Sequence, residues 1–180
     1  MNVNTKTNDL LRVLRDEDIN IILCGMNQIE TRRLIGSHQP FTESEARHII
    51  KEGVTDKQIW LGILNAKQES LCGLIALLRI NNVLRSGELS LTVFDPSHQN
   101  QGMGTAALTE FLNYIFLCRN LNRVTAQVCD YNERAIRFYR KTGFIEEGRI
   151  RQGCYWDGKY SDMIIMGLLH ADYIKQKGTN

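Results

Sequence analysis

The stretch that most limits the folds open to this chain is Phe94-Asp-Pro-Ser-His-Gln-Asn-Gln-Gly-Met-Gly-Thr-Ala-Ala107. Before it, Glu88 to Phe94 alternates polar and apolar residues, which predicts a strand. After it, Gly102 to Cys118 places Ala106, Ala107, Leu108, Phe111, Leu112, Ile115 and Phe116 at helical spacing, which predicts an amphipathic helix. A strand that passes through glycines into a helix presents unpaired backbone N–H groups and the positive end of the helix dipole. Gly102 and Gly104 carry no side chain, so an anion can approach the backbone closely. That chemistry suits a pyrophosphate; the plainer alternative is a glycine loop serving only as a turn. Two nucleotide motifs are excluded. Residue 107 is alanine, which breaks Gly-x-Gly-x-x-Gly, and the Lys-Ser/Thr pair of a P-loop is missing.

The rest of the chain supplies elements on both sides of this junction. Leu10 to Leu14 reads as a short strand, and Asp16 to Met26 and Ile29 to Ile35 read as helices. Thr42 to Lys51 reads as a helix opened by a capping box of Thr42 and Glu45. Gln58 to Leu64 and Ser70 to Ile80 read as strands around an Asn65–Glu69 turn. Arg123 to Cys129 reads as a strand, and Asn132 to Lys141 as a helix closed by Gly143. Phe144 to Gln152 and Tyr160 to Leu169 read as strands joined through the hairpin signal Asp157-Gly158. Antiparallel strands, then strand–helix–strand–helix, then a hairpin predict an α/β or α+β sheet with helices on both faces.

With 180 residues, 43% of them hydrophobic, the chain suits one domain over residues 1–180, with 1–9 and 174–180 expected to fray. A net charge of +2 gives no general pull toward nucleic acid or an anionic membrane. No apolar leader or membrane span is visible. Cys24, Cys72, Cys118, Cys129 and Cys154 are scattered, with no pair at metal-ligand spacing. They predict reduced thiols in a cytoplasmic protein and no metal site.

Gln99-x-x-Gly102-x-Gly104 resembles the coenzyme A motif of GNAT-type N-acetyltransferases, Gln/Arg-x-x-Gly-x-Gly/Ala. Asn132-Glu-Arg-Ala135-Ile-Arg-Phe-Tyr139-Arg-Lys-Thr-Gly143-Phe144 resembles the family's Asn-x-x-Ala-x-x-x-Tyr-x-Lys-x-Gly-Phe. Cys72-Gly-Leu-Ile, Gly87-Glu88-Leu, Glu147-Gly-Arg-Ile-Arg and Gly158-Lys-Tyr-Ser-Asp162 make the chain most similar to the polyamine (spermidine) and ribosomal-protein N-terminal acetyltransferase branch. One departure is Asn100, where the family commonly has glycine. Asparagine tolerates left-handed backbone, so the loop survives it.

The resemblance implies a mixed, mostly antiparallel sheet of six to seven strands and direct transfer of acetyl from acetyl-CoA to a primary amine. A polyamine, a peptide N-terminus and an amino sugar or antibiotic stay open as acceptors. A homo-oligomer stays open as the assembly. The resemblance assigns carbonyl polarisation to backbone N–H groups of Thr92, Val93 and Phe94. It places the pyrophosphate on Gln99, Asn100, Gln101, Gly102, Met103, Gly104 and Thr105. It puts the pantetheine arm near Asn132 and Ala135, and the 3′-phosphate near Arg140 and Lys141.

Tyr139 shares a helix face with Asn132 and Ile136 and is the candidate acid for the departing thiolate; simple packing is its plainer role. Glu88 is the candidate base, or holder of a water that serves as one, against a solvated edge carboxylate. Asn132 is an N-cap by position. Arg134 and Arg137 read as a solvated helix face. His98 reads as a loop residue; His38, His48 and His170 read as surface residues without partners. No cysteine has a histidine at motif distance, which disfavours a covalent acyl-enzyme. A second reading is a sensor or regulatory module that binds acetyl-CoA without catalysis.

Overall fold

The computed structural model describes residues 10–65, 70–94 and 102–178. Seven strands form one sheet in the order β1-β2-β3-β4-β5-β7-β6. They are β1 (Leu11–Val13), β2 (Ile59–Asn65), β3 (Ser70–Asn81), β4 (Ser86–Val93), β5 (Arg123–Cys129), β6 (Ile145–Trp156) and β7 (Lys159–Leu169). Every pairing is antiparallel except β4 with β5. The helices are α1 (Ile19–Asn27), α2 (Ile29–Ile35), α3 (Glu43–Lys51), α4 (Met103–Asn113), α5 (Glu133–Lys141) and α6 (His170–Gly178). The mixed, mostly antiparallel sheet expected from the sequence is present.

Alternation along the strands sends side chains to two apolar clusters, one on each face. One holds Ile75, Leu77, Leu89, Val124, Ala126, Val128, Ile164 and Met166 under Leu108, Phe111 and Leu112 of α4 and Ile136 and Tyr139 of α5. The other holds Leu71, Leu74 and Phe94 under Ile19, Ile22 and Met26 of α1 and Ala46 and Ile49 of α3. A Cβ on Gly25 would sit inside the Phe94 ring, so the absence of a side chain there lets α1 seat on the end of the β4 segment.

Local signals set several boundaries. Thr42 caps α3 as expected: its Oγ1 accepts the Glu45 amide at 3.3 Å, and Glu45 accepts the Thr42 amide at 2.6 Å. Asp157 (φ 49°) and Gly158 (φ 75°) are both left-handed, as a tight hairpin turn requires. The helix expected to run to Cys118 is α-helical only to Asn113; Tyr114–Cys118 is a π-helical turn. The proposed Asn65–Glu69 turn falls mostly on residues 66–69, outside the described residues.

Two expectations need correction. The tail does not fray from residue 174: His170–Gly178 is helical. Tyr173 pins it by donating to Asn113 Oδ1 at 3.0 Å, and Lys177 reaches the same oxygen. Nor are all thiols reduced. Cys129 and Cys154, 25 residues apart, form a disulfide with a Cα–Cα separation of 5.9 Å. It joins the end of β5 to β6, a proximity that no sequence spacing announces. Cys24, Cys72 and Cys118 take no part in a disulfide.

Candidate active site

The one parallel junction of the sheet makes the opening. β4 pairs with β5 only at Ser86↔Arg123, Gly87↔Val124 and Glu88↔Thr125. Beyond Glu88, β4 continues to Val93 beside β3, and β5 continues to Cys129 beside β7. The two strands therefore part from Leu89 onward. The Phe94 amide donates to Cys72 O at 2.8 Å. By alternation, Thr92 and Ser90 also turn their N–H groups to β3, while Leu91 turns its own toward the opening. Two residues of the expected donor segment do other work. Phe94 is committed through its amide to β3 and through its ring, 5% exposed, to α1. Thr92 contributes to the opening through its side chain.

The phosphate cradle is partly in view. Gln99, Asn100 and Gln101, with His98, lie outside the described residues. Gly102 is the N-cap of α4 in left-handed backbone (φ 79°, ψ −8°), and no side chain caps the helix. The first intrahelical bond runs from the Ala106 amide to Gly102 O at 2.9 Å, so the N–H groups of Met103, Gly104 and Thr105 precede the ladder. Among the described residues, a Cβ on Gly102 would meet nothing within 4 Å, and one on Gly104 would meet only the Phe138 ring, from 3.7 Å. N–H groups that precede the ladder at a helix N-terminus fit an anionic group. The Met103 side chain points inward, its Sδ 3.1 Å from Cys72 Sγ, and leaves only its backbone for a ligand.

Helix α5 forms the neighbouring wall. Asn132 caps it by accepting the Ala135 amide at 3.1 Å, as its position predicted. Its Nδ2 donates to Leu34 O at 3.5 Å, and Tyr131 Oη donates to Arg33 O at 2.7 Å, which ties the start of α5 to the end of α2. Phe138 stands against Gly104, and Tyr139 packs beside Phe138 and Phe144, with ring centroids 5.3 and 5.1 Å away. Tyr139 is 6% exposed, and burial pushes its phenol well above the usual range, so it keeps its proton at neutral pH. Arg140 is paired with Glu146 at 2.7 Å and Arg137 with Glu133 at 2.8 Å. Lys141 is exposed.

On the opposite face the floor of the opening is polar. Leu89, Leu91 and Val93 pack toward α4 and α5, so Glu88, Ser90 and Thr92 face the α1–α3 side. On β5 the same parity puts Thr125 and Gln127 there. Glu88 lies at the apex of the opening and is not a lone edge carboxylate. Its Oε2 accepts from Arg79 Nη2 at 2.6 Å, from Arg79 Nε at 3.1 Å and from Gln127 Nε2 at 3.3 Å. Sequence reasoning missed Arg79 and Gln127, because only the pairing of β3 and β5 beside β4 brings them to Glu88. His38, read as partnerless, stacks on Trp156 with centroids 5.4 Å apart, and His170 lies 5.7 Å from the Phe116 ring.

A parting parallel strand pair, a glycine-edged helix N-terminus and a buried tyrosine thus stand side by side at this opening. Residues 10–145 match the acetyltransferase (GNAT) domain family, and the chain belongs to that family. It is 26% identical to the spermidine N(1)-acetyltransferase of Vibrio cholerae serotype O1 over 170 residues, which cover 92% of this chain and 95% of the relative. A crystal structure of the V. cholerae spermidine N-acetyltransferase in complex with CoA and spermine superposes with a TM-score of 0.82, at 26% identity over 91% of this chain and 96% of that one. A dodecameric structure of the same relative superposes at 0.76, with 26% identity over 92% and 96% of the chains. The protein is an N-acetyltransferase, which sets aside the non-catalytic sensor reading. Among the described residues, no group of three or more His, Cys, Asp or Glu could hold a metal ion, and no helix is long and apolar enough to cross a membrane.

Proposed function

We propose that the chain acetylates a primary amine of a small polyamine, with acetyl-CoA seated between α4 and α5 and the amine entering over Ser90, Thr92 and Gln127. The observation that carries this reading is the separation of β4 from β5 after Glu88, which opens the sheet between a phosphate cradle on one side and a polar floor on the other. The polyamine class is supported by the V. cholerae relative, which matches over nearly its whole length.

The amine nitrogen attacks the thioester carbonyl carbon while the N–H group of Leu91 stabilises the developing oxyanion. Glu88, through Oε1 or a water held by it, takes the proton of the amine. The carbon–sulfur bond breaks, and the departing thiolate takes its proton from Tyr139. A phenol raised by burial is a weaker acid than a thiol near pKa 8.5, so Tyr139 acts first by hydrogen-bonding the sulfur and yields its proton late. Lys141, and Arg140 once it leaves Glu146, can meet the 3′-phosphate. The domain spans residues 1–180. Copies of the chain assemble as the dodecameric relative does. A cytoplasmic setting calls for an account of the Cys129–Cys154 bond, because disulfides are rare in that compartment.

The test is thiol release from acetyl-CoA with spermidine, a peptide with a free N-terminus and an amino sugar. Spermidine should give the highest kcat/KM; a clear preference for either other amine overturns the polyamine assignment.

A further inference from the structure

Arg79 occupies a backbone conformation that its side chain does not favour. Between Leu78↔Glu88 and Asn81↔Ser86, β3 carries Arg79 and Ile80 opposite the single residue Gly87. This is a β-bulge, and its first residue is left-handed, with φ 50° for Arg79. Glycine is the residue suited to that position. An arginine held there at a cost to the backbone calls for a function.

The side chain shows what that function is. It is 71% exposed, yet both Nε and Nη2 converge on one oxygen of Glu88, whose side chain is 20% exposed. Gln127 Nε2 bonds the same Oε2, so all three donors fall on one oxygen and none of them on Oε1. The carboxylate therefore meets an incoming ammonium with one oxygen and with a fixed cation alongside. Other carboxylates of the sheet's exposed surface are similarly matched: Glu147 by Arg123, Glu146 by Arg140, and Asp130 and Asp162 by Arg149.

We propose that Arg79 is a specificity-determining residue that limits how many positive charges the acceptor carries, by compensating Glu88 and leaving Oε1 for a single ammonium. It acts through Glu88 and stays off the reacting atoms, so it is a positioning residue. The proposal rests on the reading that the acceptor enters over this polar floor. A cation beside the site repels every ammonium of a polyamine and so disfavours spermine more than a monoamine.

The probes are spermine and n-butylamine, titrated into the full chain saturated with CoA and assayed in parallel as acetyl acceptors. In Arg79→Gly the spermine to n-butylamine affinity ratio should rise by roughly three- to tenfold, the scale of one partly exposed charge. The KM for spermine should fall by the same factor. The melting temperature should not drop, because glycine suits the bulge. Arg79→Gln, which removes the charge and keeps a polar side chain, should reproduce the rise, and Arg79→Lys should restore the original ratio. An unchanged ratio in both neutral variants overturns the proposal, as does an equal gain for both amines. A wild-type chain that acetylates neither amine overturns the acceptor reading alone, and the calorimetric ratio still decides the role of Arg79. Absence of spermine binding in every variant overturns it.

Discussion

Gly104 allows stability and cofactor affinity to be separated at one atom. Among the described residues, a Cβ at this position would meet only the Phe138 ring, from 3.7 Å, an ordinary van der Waals contact, and the backbone is right-handed within α4. Gly104→Ala should therefore stabilise the free protein by about 0.4–1 kcal/mol through the restricted unfolded chain. For a chain of this length that is a rise of roughly 1–4 °C in melting temperature. Gly104→Val keeps that gain but gives back up to about 0.7 kcal/mol of helix propensity, so its stability should stay close to wild type. Its two γ carbons enter the open space over the N–H groups of Met103, Gly104 and Thr105. Displacing a pyrophosphate oxygen from one such donor costs about 1.5–3 kcal/mol, or roughly 10- to 150-fold in affinity. The assay pairs thermal melts of the free protein with calorimetric titration of CoA. Wild-type CoA affinity in the valine variant would falsify the cradle. A valine variant that melts far below wild type would show instead that the space over Gly104 is already filled by the protein.

Tyr139→Phe should lower kcat by about 10²- to 10⁴-fold with acetyl-CoA affinity nearly intact, measured where chemistry limits the rate; a loss under tenfold removes Tyr139 as the acid. Burial raises the phenols of Tyr139, Tyr131 and Tyr173 in the folded chain. Unfolding then releases protons above about pH 10, so stability should fall as pH rises past that point. The decline should be shallower in Tyr139→Phe, and denaturant midpoints between about pH 9 and 11 with the same slope for both proteins would refute this. Asp18 works in the opposite direction. Burial acts to raise its carboxyl and is outweighed by bonds from Arg12 and the Arg15 amide and by those charges, which hold it below the ordinary carboxylate range. Its contribution is present above about pH 4 and lost as pH falls through the depressed folded value. Asp18→Asn should cost about 3 kcal/mol at neutral pH, and the difference from wild type should shrink in acid. A pH-independent difference would show that packing, not charge, is what the substitution removes.

Local chemistry carries directly into several elements. The capping box at Thr42 and Glu45, the Asn132 cap, the Asp157-Gly158 turn and the Gly102 N-cap are each decided by a few neighbouring residues, and each forms where the sequence places it. The period-two pattern of β5 is equally local, which is why Arg123–Cys129 is read to the residue. The tail from residue 174 looks frayed because its order comes from Asn113 and Gly143, far away along the chain.

What the sequence by itself determined is the order of the elements and the family to which the chain belongs, because caps, turns and motif spacing act over a few residues. Only the tertiary structure decided how far β4 and β5 stay paired, that Phe94 belongs to α1, that Cys129 meets Cys154, and that Arg79 and Gln127 share one oxygen of Glu88. These depend on strand register and on a bulge that re-aims one side chain. A shift of a single residue sends every side chain of a strand to the other face, and register is fixed by the whole packed sheet and not by any local run of residues.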